Sequence, residues 1–515
     1  MELLTAEPTC APPGSSLAGP RPGSRKRPGA VAILRTDSPA PSAWTADKQT
    51  AFIDRLGQFA RQGDLVAVVI HGDRIFVDQP GPCGMVRHDF QAVIDAIADC
   101  PIPVIAAIEG EACGSGLELA LACAGRVALP TASFAMHDLR AGRLPTHGAI
   151  ERLPRLVGLR KAAEMIISGA CWDAPTALRA GLVDVIAAED LLGRARRLAL
   201  SIEPGAAGSR GKAMSWDAAA VELSEIRRKV NRPGAGQAAP LAALKALETA
   251  VQLPMRRAIQ ETAKIAEALS HTDQARALAY AESGAAALAE WGSASEREAL
   301  ARRLRWPMMR EAIHLLDEGA NPGQIDRCLI AYGFAEGPFA ASDRHGLNAI
   351  FAQGSDDGAL THPWLVYSPT LDLMADAKRF GGRAPGWYQY SDANQTCPVF
   401  DAEVNHLIEA SATFQRMVRR PVTDQAVAER CLLAAINAAA GELEEGKNLH
   451  ADMLDAVWTG ALGFPSWKGG PLHQAARIGL PQVVAQLATL HANRNTLGAP
   501  CELLVRTAAR GAVLN

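Results

Sequence analysis

The sequence predicts an α/β N-terminal region followed by an all-α C-terminal half. Three observations carry this expectation. Short apolar runs alternate with helical stretches from Ala30 to about residue 190, the pattern of a layered sheet-and-helix domain. Leu241–Trp291 is dominated by Ala, Leu, Glu and Gln, which favour helix. An approximate repeat then runs through the last two hundred residues or so. Pro307–Leu347 holds REAIHLLDEG, an Asp, YGF, GPF and HGL, and Glu429–Leu480 follows an INAAAGELEEG, Asp, LGF, GGP, IGL order. Two copies of one helical unit predict a pseudo-symmetric pair packed face to face.

Bulk properties bound the rest. At 515 residues the chain is too long for one ordinary core, so two to four domains are expected. A net charge of −3 gives no reason for a nucleic-acid or membrane-surface partner. No apolar run approaches the roughly 20 residues that span a bilayer. The ten cysteines lack CxxC or Cys/His metal spacing, so reduced thiols in a cytoplasmic protein and no metal site are expected. Residues 1–28, rich in Pro, Gly and Ser and without a signal-peptide apolar core, read as a disordered leader.

Taken in order, Val31–Leu34 is a short strand, Asp47–Gln62 has helical periodicity, and Leu65–Ile70 (LVAVVI) reads as a buried strand. His88–Ala98 is expected to be helical and Val104–Ile108 to be the next buried strand. Gly114–Ser115–Gly116 turns the chain into an apolar helix over Leu117–Ala124. Val127–Leu129 and Ser133–Met136 are short strands, followed by helices punctuated at Gly158, Gly169 and Gly181. Residues 204–240 are rich in Gly, Ala and Pro and read as a loose connector. Helix then dominates, broken mainly at Pro254.

The chemistry-bearing segment is Ile102–Leu153: IPVIAAIEGEACGSGLELALACAGRVALPTASFAMHDLRAGRLPTHGAIERL. A Gly-rich turn at a helix N-terminus presents backbone N–H groups and a favourable dipole, which suits a developing negative charge. Glu118 lies inside the apolar run LELALACA, where a carboxylate is costly without a task or a partner. The segment resembles the enoyl-CoA hydratase/isomerase (crotonase) family, with its PVIAAVNG strand, GGG turn, ELA…C helix and F…PE…LG…P…GG…RL tail. The match is gap-free across about 50 residues. It implies a ββα-spiral crotonase fold and an acyl-CoA thioester substrate.

By that resemblance Ser115 matches an oxyanion-hole donor, flanked by Gly114 and Gly116 as substrate-binding positions, and Glu118 matches the first catalytic glutamate. Twenty positions on, Asp138 stands where the family has its second glutamate, after His137 rather than proline. Its reach is shorter by about 1.5 Å. Syn-hydration of a 2-enoyl-CoA needs two carboxylates holding one water, whereas moving a double bond from C3 to C2 needs one base. The resemblance therefore implies a Δ3,Δ2-enoyl-CoA isomerase with Asp138 as base and Glu118 assisting. A 2-enoyl-CoA hydratase using both carboxylates stays open. So does a non-catalytic acyl-CoA-binding or scaffold protein, because Pro80 aligns with the family's other oxyanion donor and has no N–H. Either Gly81 or another residue donates in its place, or half of the oxyanion hole is missing.

The helical half resembles the C-terminal part of the multifunctional enzymes of fatty-acid β-oxidation, through LMADAKRFGGRAPGWYQY and GFPSWKGGPLHQAARIGL. This implies two 3-hydroxyacyl-CoA dehydrogenase C-terminal-like repeats. Those enzymes carry a Rossmann domain of nearly two hundred residues before the repeats, whereas here the chain passes from Trp291 to Pro307 in fifteen residues. No GxGxxG follows a strand, and Arg302–Arg303 stands where those enzymes have a catalytic Asn-Arg pair. No NAD cofactor and no dehydrogenase activity are expected. His314, His345, His450 and His473 read as core or surface histidines. The expected domains are a leader (1–28), a crotonase-like domain (29–203), connector and linker helices (204–295), and two helical repeats (296–390 and 391–515). The linker helix and repeats favour a monomer.

Overall fold

The computed structural model describes residues 29–36, 44–72, 75–76, 89–203, 216–230, 237–346, 369–382, 384–390, 398–399, 401–446, 448–494 and 498–514. The expected leader, the Pro80–Gly81 loop and residues 204–215 and 231–236 of the expected connector lie outside these residues. The chain divides into two compact units, Met1–Arg232 with Gly236–Arg276, and Pro233–Ala235 with Ala277–Asn515. No described helix is long and apolar enough to cross a membrane.

The first unit carries strands β1 (Ala30–Arg35), β2 (Leu65–His71), β3 (Val104–Ile108), β4 (Glu111–Cys113), β5 (Gly125–Ala128), β6 (Ser133–Ala135), β7 (Trp172–Asp173) and β8 (Val185–Ile186). Five of them form a parallel sheet in the order β1-β2-β3-β5-β8. Both faces are buried, and side chains alternate between two cores as strand geometry requires. Leu34, Val68, Ile70, Val104 and Ala106 point to one core. Ile33, Ala67, Val69, Ile105 and Ala107 point to the other, against the helix Leu191–Ser201. Each fully buried Val or Ile contributes about 1.5–3 kcal/mol. The remaining strands form a second sheet, β4-β6-β7, with β4 and β6 parallel and β7 antiparallel to β6.

Helices α1 (Ala46–Arg61), α2 (Gln91–Ala98), α3 (Gly114–Ala122) and α4 (Ala149–Val157) follow the expected periodicity with boundaries moved by up to three residues. The connector reading of 204–240 needs correction, because Trp216–Val230 is a helix. The Gly and Pro residues flank WDAAAVELSEIRRKV rather than interrupt it. Ala219, Leu223 and Ile226 bury one helical stripe, and Arg160 pairs with Glu225 at 2.5 Å. The linker stretch breaks at Pro254 as expected and again at His271–Thr272, giving Ala238–Gln252, Met255–Ser270 and Asp273–Glu290.

The second unit is almost entirely helical. Its long helices Ala294–Glu318 and Asp424–Glu444 pack on each other, and buried Arg430 donates to Glu311 and, at 2.7 and 2.9 Å, to Glu318. The two copies of the repeat share one hydrogen-bonding device. In the first, Asp326 accepts N–H bonds from Phe339 and Ala340 at 3.0 Å each, at the start of helix Pro338–His345. In the second, Asp455 accepts from Leu472 and His473 at 2.9 and 2.8 Å, at the start of helix Pro471–Ile478. A tyrosine hydroxyl completes each carboxylate, Tyr388 on Asp326 and Tyr280 on Asp455. Glycine precedes each helix-opening proline because a Cβ at Gly337 or Gly470 would lie 2.2 or 2.3 Å from the carboxylate carbon. His314 is buried here, and His473 Nδ1 lies 3.2 Å from the Lys468 carbonyl.

Asp455→Ala leaves two helix-terminal N–H groups and a tyrosine hydroxyl without their acceptor. We expect it to destabilise the second unit by about 2–4 kcal/mol, read as a lower urea midpoint. Tyr280→Phe should cost about 1 kcal/mol. A midpoint unchanged in both would show that the carboxylate does not hold this repeat together.

Candidate active site

Strands β4 and β6 place the candidate site. They run parallel, and their last paired residues are Cys113 and Ala135. Both chains therefore leave the sheet at the same end. One enters α3 at Gly114; the other passes through Met136 and His137 into a 3₁₀ turn over Asp138–Ala141. Glu118 and Asp138 are thus delivered to the same end of one strand pair. The expected site residues Gly114, Ser115 and Gly116 form the first turn of α3, whose amides make no bond within the helix.

Every residue of α3 is buried. Its entry is pinned to Phe76, whose carbonyl accepts the Cys113 N–H at 2.9 Å. Gly116 passes so close to Phe76 that a Cβ there would lie 2.0 Å from the Phe76 carbonyl oxygen. Glycine at 116 is a requirement of this crossing. Phe76 is the last described residue before the stretch that holds Pro80 and Gly81, the two residues considered for the second oxyanion position.

Glu118 is 4% exposed and has found donors. Its Oε1 accepts the His147 N–H at 2.8 Å and the Ala149 N–H at 3.3 Å. Its Oε2 lies 3.3 Å from His147 Nδ1. The other ring nitrogen, Nε2, lies 3.0 Å from Asp89 Oδ1, and the ring stacks on Phe90 with centroids 3.7 Å apart. Burial disfavours the imidazolium. The hydrogen bonds and charges of Glu118 and Asp89 outweigh it and hold the His147 pKa above its ordinary value.

Asp138 is half-buried at the start of its turn, and its carbonyl accepts the Arg143 N–H at 3.0 Å. Beside it, burial first and then the Arg140 cation hold the His137 pKa below its usual value, which favours the neutral ring. Behind Glu118, buried Arg152 donates to the His147 carbonyl at 2.9 Å. Burial pushes the neighbouring Glu151 carboxyl up to about 7, and it accepts the Thr262 hydroxyl at 2.7 Å.

Sequence reasoning missed His147, Asp89 and the Glu151–Thr262 pair. The local signal for His147 was its place beside Gly148 at the mouth of α4. Its partners lie 29 and 58 residues away, however, and no periodicity links them.

Comparison with known proteins agrees with the geometry. Residues 29–216 match the family described as enoyl-CoA hydratase/isomerase, and residues 300–390 match 3-hydroxyacyl-CoA dehydrogenase, C-terminal domain. The peroxisomal bifunctional enzyme of Danio rerio is 23% identical over 603 positions, covering 78% of this chain and 84% of that protein. Since 78% of 515 residues is about 400, some 200 of those 603 positions have no counterpart in this chain. The human peroxisomal bifunctional enzyme is 31% identical over 198 residues, which cover 36% of this chain and about a quarter (27%) of the relative. A solved enoyl-CoA hydratase/isomerase from Pseudoalteromonas atlantica aligns at 19% identity and TM-score 0.33, covering 49% of this chain and 92% of its own. The chain therefore carries a crotonase domain, matching enoyl-CoA hydratase/isomerase at residues 29–216, and a domain matching the 3-hydroxyacyl-CoA dehydrogenase C-terminal domain at residues 300–390.

Proposed function

We propose that the protein is a Δ3,Δ2-enoyl-CoA isomerase acting on an acyl-CoA thioester, with Asp138 as the base and Glu118 in support. The observation that carries this is the state of Glu118. A carboxylate offers about four acceptor positions, and three here face the two N–H groups and the ring of His147–Ala149. Hydration asks both carboxylates to hold one water against the double bond. A Glu118 so engaged, opposite an aspartate shorter by one methylene, favours the reaction that needs a single base.

In the proposed reaction the Asp138 carboxylate takes the C2 proton of a 3-enoyl thioester. The electron pair moves onto the thioester oxygen, where the Ser115 N–H at the positive end of α3 stabilises it. The enolate then collapses as Asp138 returns the proton to C4, leaving the double bond between C2 and C3. Gly114 and Gly116 let the substrate approach the turn. We place no NAD in this chemistry. The roughly 200 unmatched positions of the Danio rerio relative are the size of the dinucleotide-binding domain its resemblance would call for. The seven described cysteines are free thiols, which supports a reducing compartment, the cytoplasm in our reading. We take the working unit to be a monomer.

The test is direct. The protein is mixed with 3-hexenoyl-CoA and, separately, with crotonyl-CoA, and the conjugated thioester absorbance is followed. Gain with the first and no loss with the second is the expected result; loss with the second assigns hydration instead. Neither change, with acyl-CoA still bound, leaves a binding protein. A 3-hydroxyacyl-CoA with NAD should yield no NADH, and appreciable turnover would reveal a dinucleotide site.

A further inference from the structure

Glu118 is held by a device that the proposed reaction does not require. The His147 ring stands between two carboxylates, with Nδ1 3.3 Å from Glu118 Oε2 and Nε2 3.0 Å from Asp89 Oδ1. A neutral imidazole carries one N–H and can serve only one of them, turning a lone pair towards the other. An imidazolium serves both. The stack on Phe90 also favours a cation, since an aromatic face attracts positive charge. Glu118 faces the ring from α3, and Asp89 and Phe90 face it from the segment that opens α2. Arg152 of α4 reaches the same residue through its carbonyl, and Thr146 Oγ1 lies 3.2 Å from Nδ1.

We propose that His147, held by Asp89, is a positioning residue that holds the Glu118 carboxyl group immobile while the ring is protonated. The inference rests on the functional reading only in giving Glu118 a supporting role in enolate chemistry. Its physical content, a bridging cation, can be measured without turnover.

The sign follows from the bridge. Glu118 and Asp89 raise the His147 pKa above 6.5, so the cation persists through that value and is lost as the pH climbs through the raised one. Above it the ring releases one carboxylate, Glu118 gains freedom, and the rate falls. Asp89 is the clean handle. Its side chain is 83% exposed, and an asparagine there can still accept the Gln91 N–H at the start of α2.

The experiment is a histidine-selective NMR titration of the full chain and of Asp89→Asn, run beside the pH dependence of 3-hexenoyl-CoA isomerisation. His147 is expected to titrate above 6.5 in the wild type and lower in the variant, and the alkaline fall in kcat should move down with it. His147→Gln should lower kcat roughly 10–100-fold with little change in KM and lose that alkaline limb. Titration at or below 6.5 in the wild type, or titration unmoved by Asp89→Asn, overturns the inference. An alkaline limb that stays in place in both variants also overturns it. Titration as expected with no turnover of either enoyl thioester supports the bridge and sinks the isomerase reading.

Discussion

Asp138→Asn is expected to lower isomerisation of 3-hexenoyl-CoA by about 10³-fold in kcat, with KM changed little. Asparagine is close in shape and can occupy the same half-buried position at the start of the 3₁₀ turn, but it cannot take a proton from C2. His137 adjoins it, and burial and then the Arg140 cation hold its pKa down, which makes the ring a weaker base than a free imidazole. Asp138→Glu supplies the internal control. It keeps a carboxylate at slightly longer reach and should retain far more activity than asparagine.

Glu118→Gln should cost less, roughly 10–100-fold. The amide oxygen can still accept from His147 or Ala149. The negative charge opposite the imidazolium is lost, and an NH₂ group must face one of the donors now satisfied. The ratio of the two effects is the informative quantity. Equal large losses would mean that both carboxylates take part in the proton transfer, against the single-base reading. Equal small losses would remove both from the chemistry.

The parts legible in the sequence were those whose cause is local. Val104–Ile108 forms as expected, because five consecutive apolar residues suit a strand buried on both faces. The repeat was legible because each copy needs the same Asp, Gly and Pro to build one capped helix start. Strand β4 was not, since three residues, EAC, carry no periodicity and are fixed by pairing with Ser133–Ala135. The helix Trp216–Val230 was hidden because the Gly and Pro around it dominate the composition of its window, while the described part of its buried stripe is the short set Ala219, Leu223 and Ile226. The family motif pointed to Glu118 and Asp138. It could not reveal what holds Glu118, because that depends on Asp89, His147 and Ala149 converging from separate segments.

Gly116→Ala should be among the most damaging single methyl groups in the first unit. The added Cβ would lie 2.0 Å from the Phe76 carbonyl oxygen, 2.2 Å from its carbon and 2.6 Å from its Cα. These are backbone atoms, so no side chain can rotate away, and either α3 or the turn at Phe76 must move. Overpacking of this kind costs about 1–3 kcal/mol. The functional loss should be larger than that implies. The same shift displaces the Ser115 N–H, and losing one oxyanion donor costs about 10²–10³ in rate. We therefore expect a modest drop in thermal midpoint with at least a hundredfold loss of isomerisation. Gly110→Ala is the matched control. It lies in the β3–β4 connection a few residues before α3, nothing stands within 4 Å of a Cβ there, and both properties should stay near wild type. Should Gly116→Ala lose stability and keep its rate, the turn at Gly114–Gly116 would be a packing feature and the oxyanion donor would have to be sought elsewhere.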